Sequence, residues 1–359
     1  MIKNLFFLCF LVGALMIFGS CSKKNTVIPN TTSSVTLGLY QYGVDSGKRI
    51  FIPVTQVGTK AVNYFSVFDT GSTGMTIDAH GILPDAMVTD AGIQFTQDSI
   101  VVNGITVTSH KSIMSYGNKT GITKEYGNLA YASITIGDQN GNTTIKRVPI
   151  FLYYKVVDAS GTVQAPHLLD IFGVGPGTSF ANSAIASPLS YFNTGSDLSS
   201  GFRLATLKSN SFSSNPMYVG SLLTIGLTQS DISSSGFIMH PLSFGSSGGY
   251  SPNIPATITY GGQSVAAQIL FDTGTPLISI IENKLATTST GQLPANTVVT
   301  ITTNMGFKYA YSTTSTSNLT AVENPNLTGD FRSILGIDFF ISNEYLTDYT
   351  NHQIGLKNN

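Results

Sequence analysis

Tryptophan is absent from this 359-residue chain, and cysteine occurs only at Cys9 and Cys21. Beyond residue 21 there is no thiol for a disulfide, a cysteine nucleophile or a thiolate metal site, so core burial must supply the stability. Charge is scarce: 18 basic and 19 acidic residues make up 10% of the chain and leave a net charge of −1, against ~25% charged residues in ordinary soluble domains. No basic patch is available to hold nucleic acid. The five histidines, His80, His110, His167, His240 and His352, are scattered without ligand spacing, and no metal or cofactor is expected. No G-x-S-x-G motif occurs. Gly173-Val174-Gly175-Pro176-Gly177 fails as a phosphate loop because Thr178 breaks the G-x-G-x-x-G pattern. Long apolar runs at helical spacing are missing, and only residues 338–345 and 282–287 suit short helices.

What the chain does have is glycine, 36 residues of it, and 42% apolar residues, in a length that suits about two domains. Short strands and turns are expected throughout. Asn103-Gly104 separates Ile100-Val101-Val102 from Ile105-Thr106-Val107, a two-residue hairpin signal. Ile134 and Ile136 alternate before a turn containing Asn140-Gly141, with Val148, Ile150 and Leu152 beyond it; Ile258 and Tyr260 precede Gly261-Gly262 and Val265. Asp78, Asp85 and Asp90 read as solvated residues of a surface loop. At the start of the chain, Lys3 and the apolar residues 5–18 have the layout of a secretory signal too short to span a bilayer. Phe18-Gly19-Ser20-Cys21 resembles a bacterial lipoprotein cleavage box. Residues 1–20 are thus expected to be a signal peptide and Cys21 the lipidated residue, exported and anchored in a bacterial envelope. Residues 21–35 read as a polar tether.

The most informative feature is a duplicated pattern. Val67-Phe68-Asp69-Thr70-Gly71-Ser72 is followed later by Ile171-Phe172-Gly173, and Leu270-Phe271-Asp272-Thr273-Gly274-Thr275 by Ile334-Leu335-Gly336. Each Asp ends an apolar strand, and the Gly lets the backbone turn. If the halves pack as pseudo-equivalent lobes, Asp69 and Asp272 face each other, share one proton and titrate as a unit. An ionised and a protonated carboxyl side by side suit water-mediated hydrolysis by general acid and base, fastest at mildly acid pH. Thr70 and Thr273 would bond across to the opposite strand's backbone, and Ser72 and Thr275 to the outer carboxylate oxygens.

These residues resemble the two-lobed, pepsin-like aspartic proteases, whose shared-proton dyad is a standard instance of the effect. Asp170-Ile171-Phe172-Gly173-Val174-Gly175 is similar to the family's first-lobe hydrophobic-hydrophobic-Gly strand, and Ser333-Ile334-Leu335-Gly336, Phe339-Phe340 and residues 348–356 to its closing segment. The resemblance implies a mostly β, bilobal fold with lobes at 36–215 and 216–359 and a cleft between them. It implies catalytic Asp69 and Asp272, supported by Thr70, Gly71, Ser72, Thr273, Gly274 and Thr275. A flap hairpin over a peptide or protein substrate falls at Tyr116 and Gly117, with Tyr126-Gly127 as the competing position. The chain departs from the family where a Trp ordinarily packs on the flap, since Gly74-Met75-Thr76-Ile77 stands there. The expected activity is that of a monomeric, cofactor-free aspartic endopeptidase. The alternatives are an inactive pepsin-like fold that binds peptides or inhibits, and a Ser/Thr-rich glycan-binding β-sandwich.

Overall fold

Three hairpins form where the turn residues demand them. Asn103 and Gly104 take φ of 50° and 70°, and Gly261 and Gly262 take 51° and 75°, the left-handed values that a two-residue turn needs. In the third, Asp138 accepts the Asn140 N–H at 2.8 Å between the strands Gly121–Asp138 and Gly141–Val157. The computed structural model describes residues 33–44, 47–118, 121–245, 248–287 and 291–359. The expected signal segment, Cys21 and all but the last residues of the expected tether lie outside them.

Strands dominate, in sheets of fourteen, eight and two among the described residues. Within the large sheet, Lys60–Asp69 pairs in parallel with Ile171–Val174, in the register Phe172 to Phe68 and Gly173 to Asp69. The strand after the turn, Thr73–Asp78, runs antiparallel to Ile171–Val174 and parallel to Gly141–Val157. The eight-stranded sheet repeats this arrangement. Gln263–Phe271 lies parallel to Arg332–Leu335, with Phe271 opposite Leu335. Ser279–Glu282 then runs antiparallel to Arg332–Leu335 and parallel to Thr320–Glu323. The duplicated sequence pattern is therefore a duplicated strand crossing, and the fold is mostly β and bilobal. Ser199–Leu204, Met217–Leu227, Asn343–Asp348 and Gln353–Asn358 extend the large sheet beyond Val35–Val44. Residue 217, just past the expected division at 215, thus begins a strand paired with Val35–Val44.

Burial pins the strand ends that matter. Phe68 and Phe271, each the residue before an Asp, are buried in the main core. Phe68 meets Phe202 edge-on at 5.6 Å, and Phe271 meets Phe339 at 4.5 Å. Each such ring contributes roughly 1.5–3 kcal/mol by leaving water. A smaller cluster of Met114, Leu129, Phe151, Tyr153, Val156, Ala181 and Ile185 sits behind the hairpin of Ile105–Asn118 and Gly121–Asp138.

Two local expectations change. Of the short helices, Phe339–Ser342 forms within residues 338–345, but residues 282–287 do not turn into one. Glu282 closes a strand opposite Glu323, and the Asn283 N–H continues that ladder to the Glu323 carbonyl at 2.8 Å. The Asn283 amide meanwhile bonds the Tyr260 hydroxyl at 2.7 Å, so long-range pairing overrides a weak local preference. Asp78 is not a loop residue. It ends the strand Thr73–Asp78, is 3% exposed and accepts the His80 N–H at 2.9 Å. Asp85 and Asp90 are exposed.

Candidate active site

Each Asp-Thr-Gly turn closes on its own carboxylate. Asp69 Oδ1 accepts the Gly71 N–H at 2.7 Å and Oδ2 the Ser72 hydroxyl at 2.5 Å. Asp272 Oδ1 accepts the Gly274 N–H and Oδ2 the Thr275 hydroxyl, both at 2.6 Å. The two turns then interlock. Thr70 Oγ1 donates to the Phe271 carbonyl at 2.8 Å and accepts the Thr273 N–H at 3.0 Å. Reciprocally, Thr273 Oγ1 donates to the Phe68 carbonyl at 2.6 Å and accepts the Thr70 N–H at 3.0 Å. Both threonines are fully buried, which makes each of these bonds costly to lose.

This grip presses the carboxylates together. The space a Cβ would fill at Gly71 is taken by the Asp272 carboxylate, and a Cβ at Gly274 would stand 2.6 Å from Asp69 Oδ1. Only glycine permits that approach. Asp69 and Asp272 are 7% and 9% exposed. Burial first, then the charge of Asp272 and the hydrogen bond to it, push Asp69 from 3.8 up to about 7, against the opposing bonds from Ser72 and Gly71. One proton is thus held between two carboxyls up to near neutral pH.

Arg49 borders the pair. It lies in the strand Gly47–Val57, and its Nη1 donates to the Gly274 carbonyl. Burial pulls the guanidinium down from its ordinary value, while the charges of Asp69 and Asp272 pull it up. The neighbouring Lys48 bonds the Pro276 carbonyl through its N–H at 3.1 Å and Asp338 through its ammonium at 2.5 Å.

The hairpin of Ile105–Asn118 and Gly121–Asp138 sets Tyr116 opposite Thr123, with Gly117 at φ 101°. Tyr116 is partly buried beside Glu125 and Thr76. Its phenol is pushed well up by burial and by the charge of Glu125, and it also feels Asp69. Tyr126, the competing residue, instead stacks under Lys155 at 5.0 Å. Glu125 is fully buried, and burial drives its carboxyl well above the ordinary range, favouring the neutral acid. Thr76 donates to Glu125 Oε1 at 3.4 Å. Tyr116 Oη and Glu125 Oε2 face this same pocket without a well-formed hydrogen bond.

Sequence reasoning missed Arg49, Glu125 and a second polar cluster. Asp170 accepts the Asp78 N–H at 2.9 Å and the Tyr153 hydroxyl at 2.7 Å, and meets His167 Nδ1 at 2.8 Å. Tyr64 stacks on the His167 ring at 3.7 Å. Burial opposes the charging of His167, but the bond to Asp170 and its charge outweigh it and raise the imidazole. Only the inward parity of Glu125 with Gly127 and Leu129 hinted at its burial.

The crystal structure of an aspartic proteinase from Irpex lacteus matches 91% of this chain and 97% of that chain, with a TM-score of 0.57 at 18% identity. The chain has the pepsin-like fold. No family model and no curated protein sequence matches it. In the frame of this fold, the Asp69/Asp272 pair lies where the two duplicated strand crossings meet.

Proposed function

We propose that the chain is an aspartic endopeptidase that hydrolyses peptide bonds with a water activated between Asp69 and Asp272. The observation that carries this reading is the interlocked, proton-sharing pair of carboxyls. The ionised member takes a proton from water, whose oxygen attacks the scissile carbonyl, while the protonated member donates a hydrogen bond to the carbonyl oxygen. The tetrahedral intermediate then collapses as the amide nitrogen receives a proton and leaves. No covalent enzyme intermediate is needed. Thr70, Gly71, Ser72, Thr273, Gly274 and Thr275 keep the carboxyls in register, and Tyr116 with Gly117 closes over an extended peptide substrate that adds backbone hydrogen bonds as a strand would. Anchoring through Cys21 in a bacterial envelope belongs to the same proposal and rests on the sequence of the first 21 residues.

The test is cleavage of a denatured protein and a mixed peptide library by the full chain from pH 3 to 8, beside Asp69→Asn and Asp272→Asn. Loss of cleavage in both variants, with native turnover that declines as pH rises through about 7, supports the mechanism. A folded native protein that cuts nothing, or a rate still climbing above pH 8, refutes it. The first of those outcomes favours a non-catalytic peptide binder.

A further inference from the structure

Three of the four arginines have their charge answered within the fold. Arg203 pairs with Glu344 at 2.7 Å and with Asp231 at 3.6 Å, Arg332 pairs with Asp330 at 2.7 Å, and Arg147 lies over the Tyr131 ring at 5.2 Å. Arg49 is different. Among the described residues it forms no ion pair, although it is partly buried and two carboxylates lie close by. A guanidinium has five N–H donors, and the bond described for this one is to the Gly274 carbonyl. That bond holds the side chain off the dyad instead of on it. The position is also fixed, because the adjacent Lys48 is tied to Pro276, two residues after Gly274, and to Asp338, just before the helix Phe339–Ser342.

Gly274 is the residue directly beneath the acids: a Cβ there would stand 2.6 Å from Asp69 Oδ1 and 2.9 Å from Asp272 Oδ1. The guanidinium is therefore one residue away from the reacting atoms, with donors to spare. A proton-sharing dyad carries one negative charge and repels an acidic substrate group brought near it. A fixed cation at this point reverses that penalty. From this placement we infer that Arg49 is a specificity-determining residue that takes a substrate carboxylate, so that the chain prefers peptides with Glu or Asp within a residue or two of the scissile bond. The inference rests on the peptide-hydrolase reading and adds a substrate class to it. Arg is suited to the task because its planar fork matches a carboxylate with two parallel bonds.

The test uses the full chain and pairs of quenched fluorescent peptides that differ only by Glu or Gln at each position flanking the cleaved bond, at pH 5.5 so that Glu is ionised. A charge-assisted bond in a partly dry site corresponds to roughly tenfold or more in kcat/KM, mostly in KM. The expected result is such a preference for Glu at one flanking position in the native protein, abolished in Arg49→Gln and partly retained in Arg49→Lys. The Lys variant separates loss of the charge from loss of the fold. A native protein indifferent to Glu and Gln at every position, or a preference that survives Arg49→Gln, overturns the inference. If the native protein cuts no peptide at all, the hydrolase reading fails on its own. The same pairs are then compared as labelled ligands by fluorescence anisotropy, and equal affinity for the Glu and Gln peptides overturns the role of Arg49.

Discussion

Replacing Asp69 by Asn should make the protein more stable at neutral pH and leave its stability almost unchanged in acid. In the folded chain, burial and Asp272 raise Asp69 from 3.8 to about 7. Below pH 3.8 both folded and unfolded chains hold the proton, and the group takes nothing from stability. Between that pH and about 7 the unfolded chain releases its proton while the folded chain keeps it, so stability falls steadily as pH rises. At 1.36 kcal/mol for each pH unit between the two pKa values, the accumulated loss is about 4 kcal/mol by pH 8. Asn has nearly the same shape and leaves the Gly71 N–H an acceptor, but carries no charge, so this pH-dependent loss disappears with it. Urea denaturation of both proteins at pH 3.5, 5, 6.5 and 8 measures the difference. Glu282, also raised to about 7 by burial and by Glu323 and Asp330, contributes equally to both and cancels. The variant's midpoint should exceed the native one by about 1 M urea or more at pH 8, converging in acid. Midpoints that track each other in parallel from pH 3.5 to 8 would mean that folded Asp69 ionises as an ordinary carboxyl, and the shared-proton account would be wrong.

Two further outcomes follow from the contacts around the dyad. Thr273→Val removes the donor to the Phe68 carbonyl and the acceptor of the Thr70 N–H, leaving two buried backbone groups unpaired at about 1–3 kcal/mol each. Thr273→Ser should keep most of that stability in the same urea assay, and a Val variant within about 0.5 kcal/mol of Ser would show that the interlock contributes little. On the proposed reading, Glu125→Leu should raise KM severalfold by removing the acceptor of the Thr76 hydroxyl beside Tyr116, with Glu125→Gln largely restoring it; equal KM values for the native and Leu proteins would remove Glu125 from any role in placing Tyr116.

The parts of this molecule that were legible in its sequence are those that local chemistry determines. An apolar strand ending in Asp-Thr-Gly must present a carboxylate at a turn, and Asn103-Gly104 or Gly261-Gly262 must reverse the chain, whatever lies elsewhere. The paired Ile171-Phe172-Gly173 and Ile334-Leu335-Gly336 strands were readable because the pattern occurs twice. Residues whose meaning depends on distant partners were not. Asp78 reads as a solvated loop residue, yet it ends the buried strand Thr73–Asp78, where Asp170, some ninety positions later, accepts its N–H.

The missing tryptophan makes the same point more sharply. Composition says that no indole packs behind Tyr116, but not what fills the space. Thr76, within the segment where the family ordinarily places that Trp, meets Glu125 from the far strand of the hairpin instead. A hydroxyl and a buried carboxyl thus stand beside Tyr116, which also packs on the apolar cluster around Met114 and Phe151. Such a pair supports the hairpin only while the acid stays neutral, since an ionised carboxylate there would face the charges of Asp78 and Asp170 without a counter-ion of its own. The support beneath Tyr116 and the proton shared by Asp69 and Asp272 are therefore both weakened by rising pH. Two carboxyl systems on different strands, neither in an ion pair among the described residues, bias this site toward acid conditions.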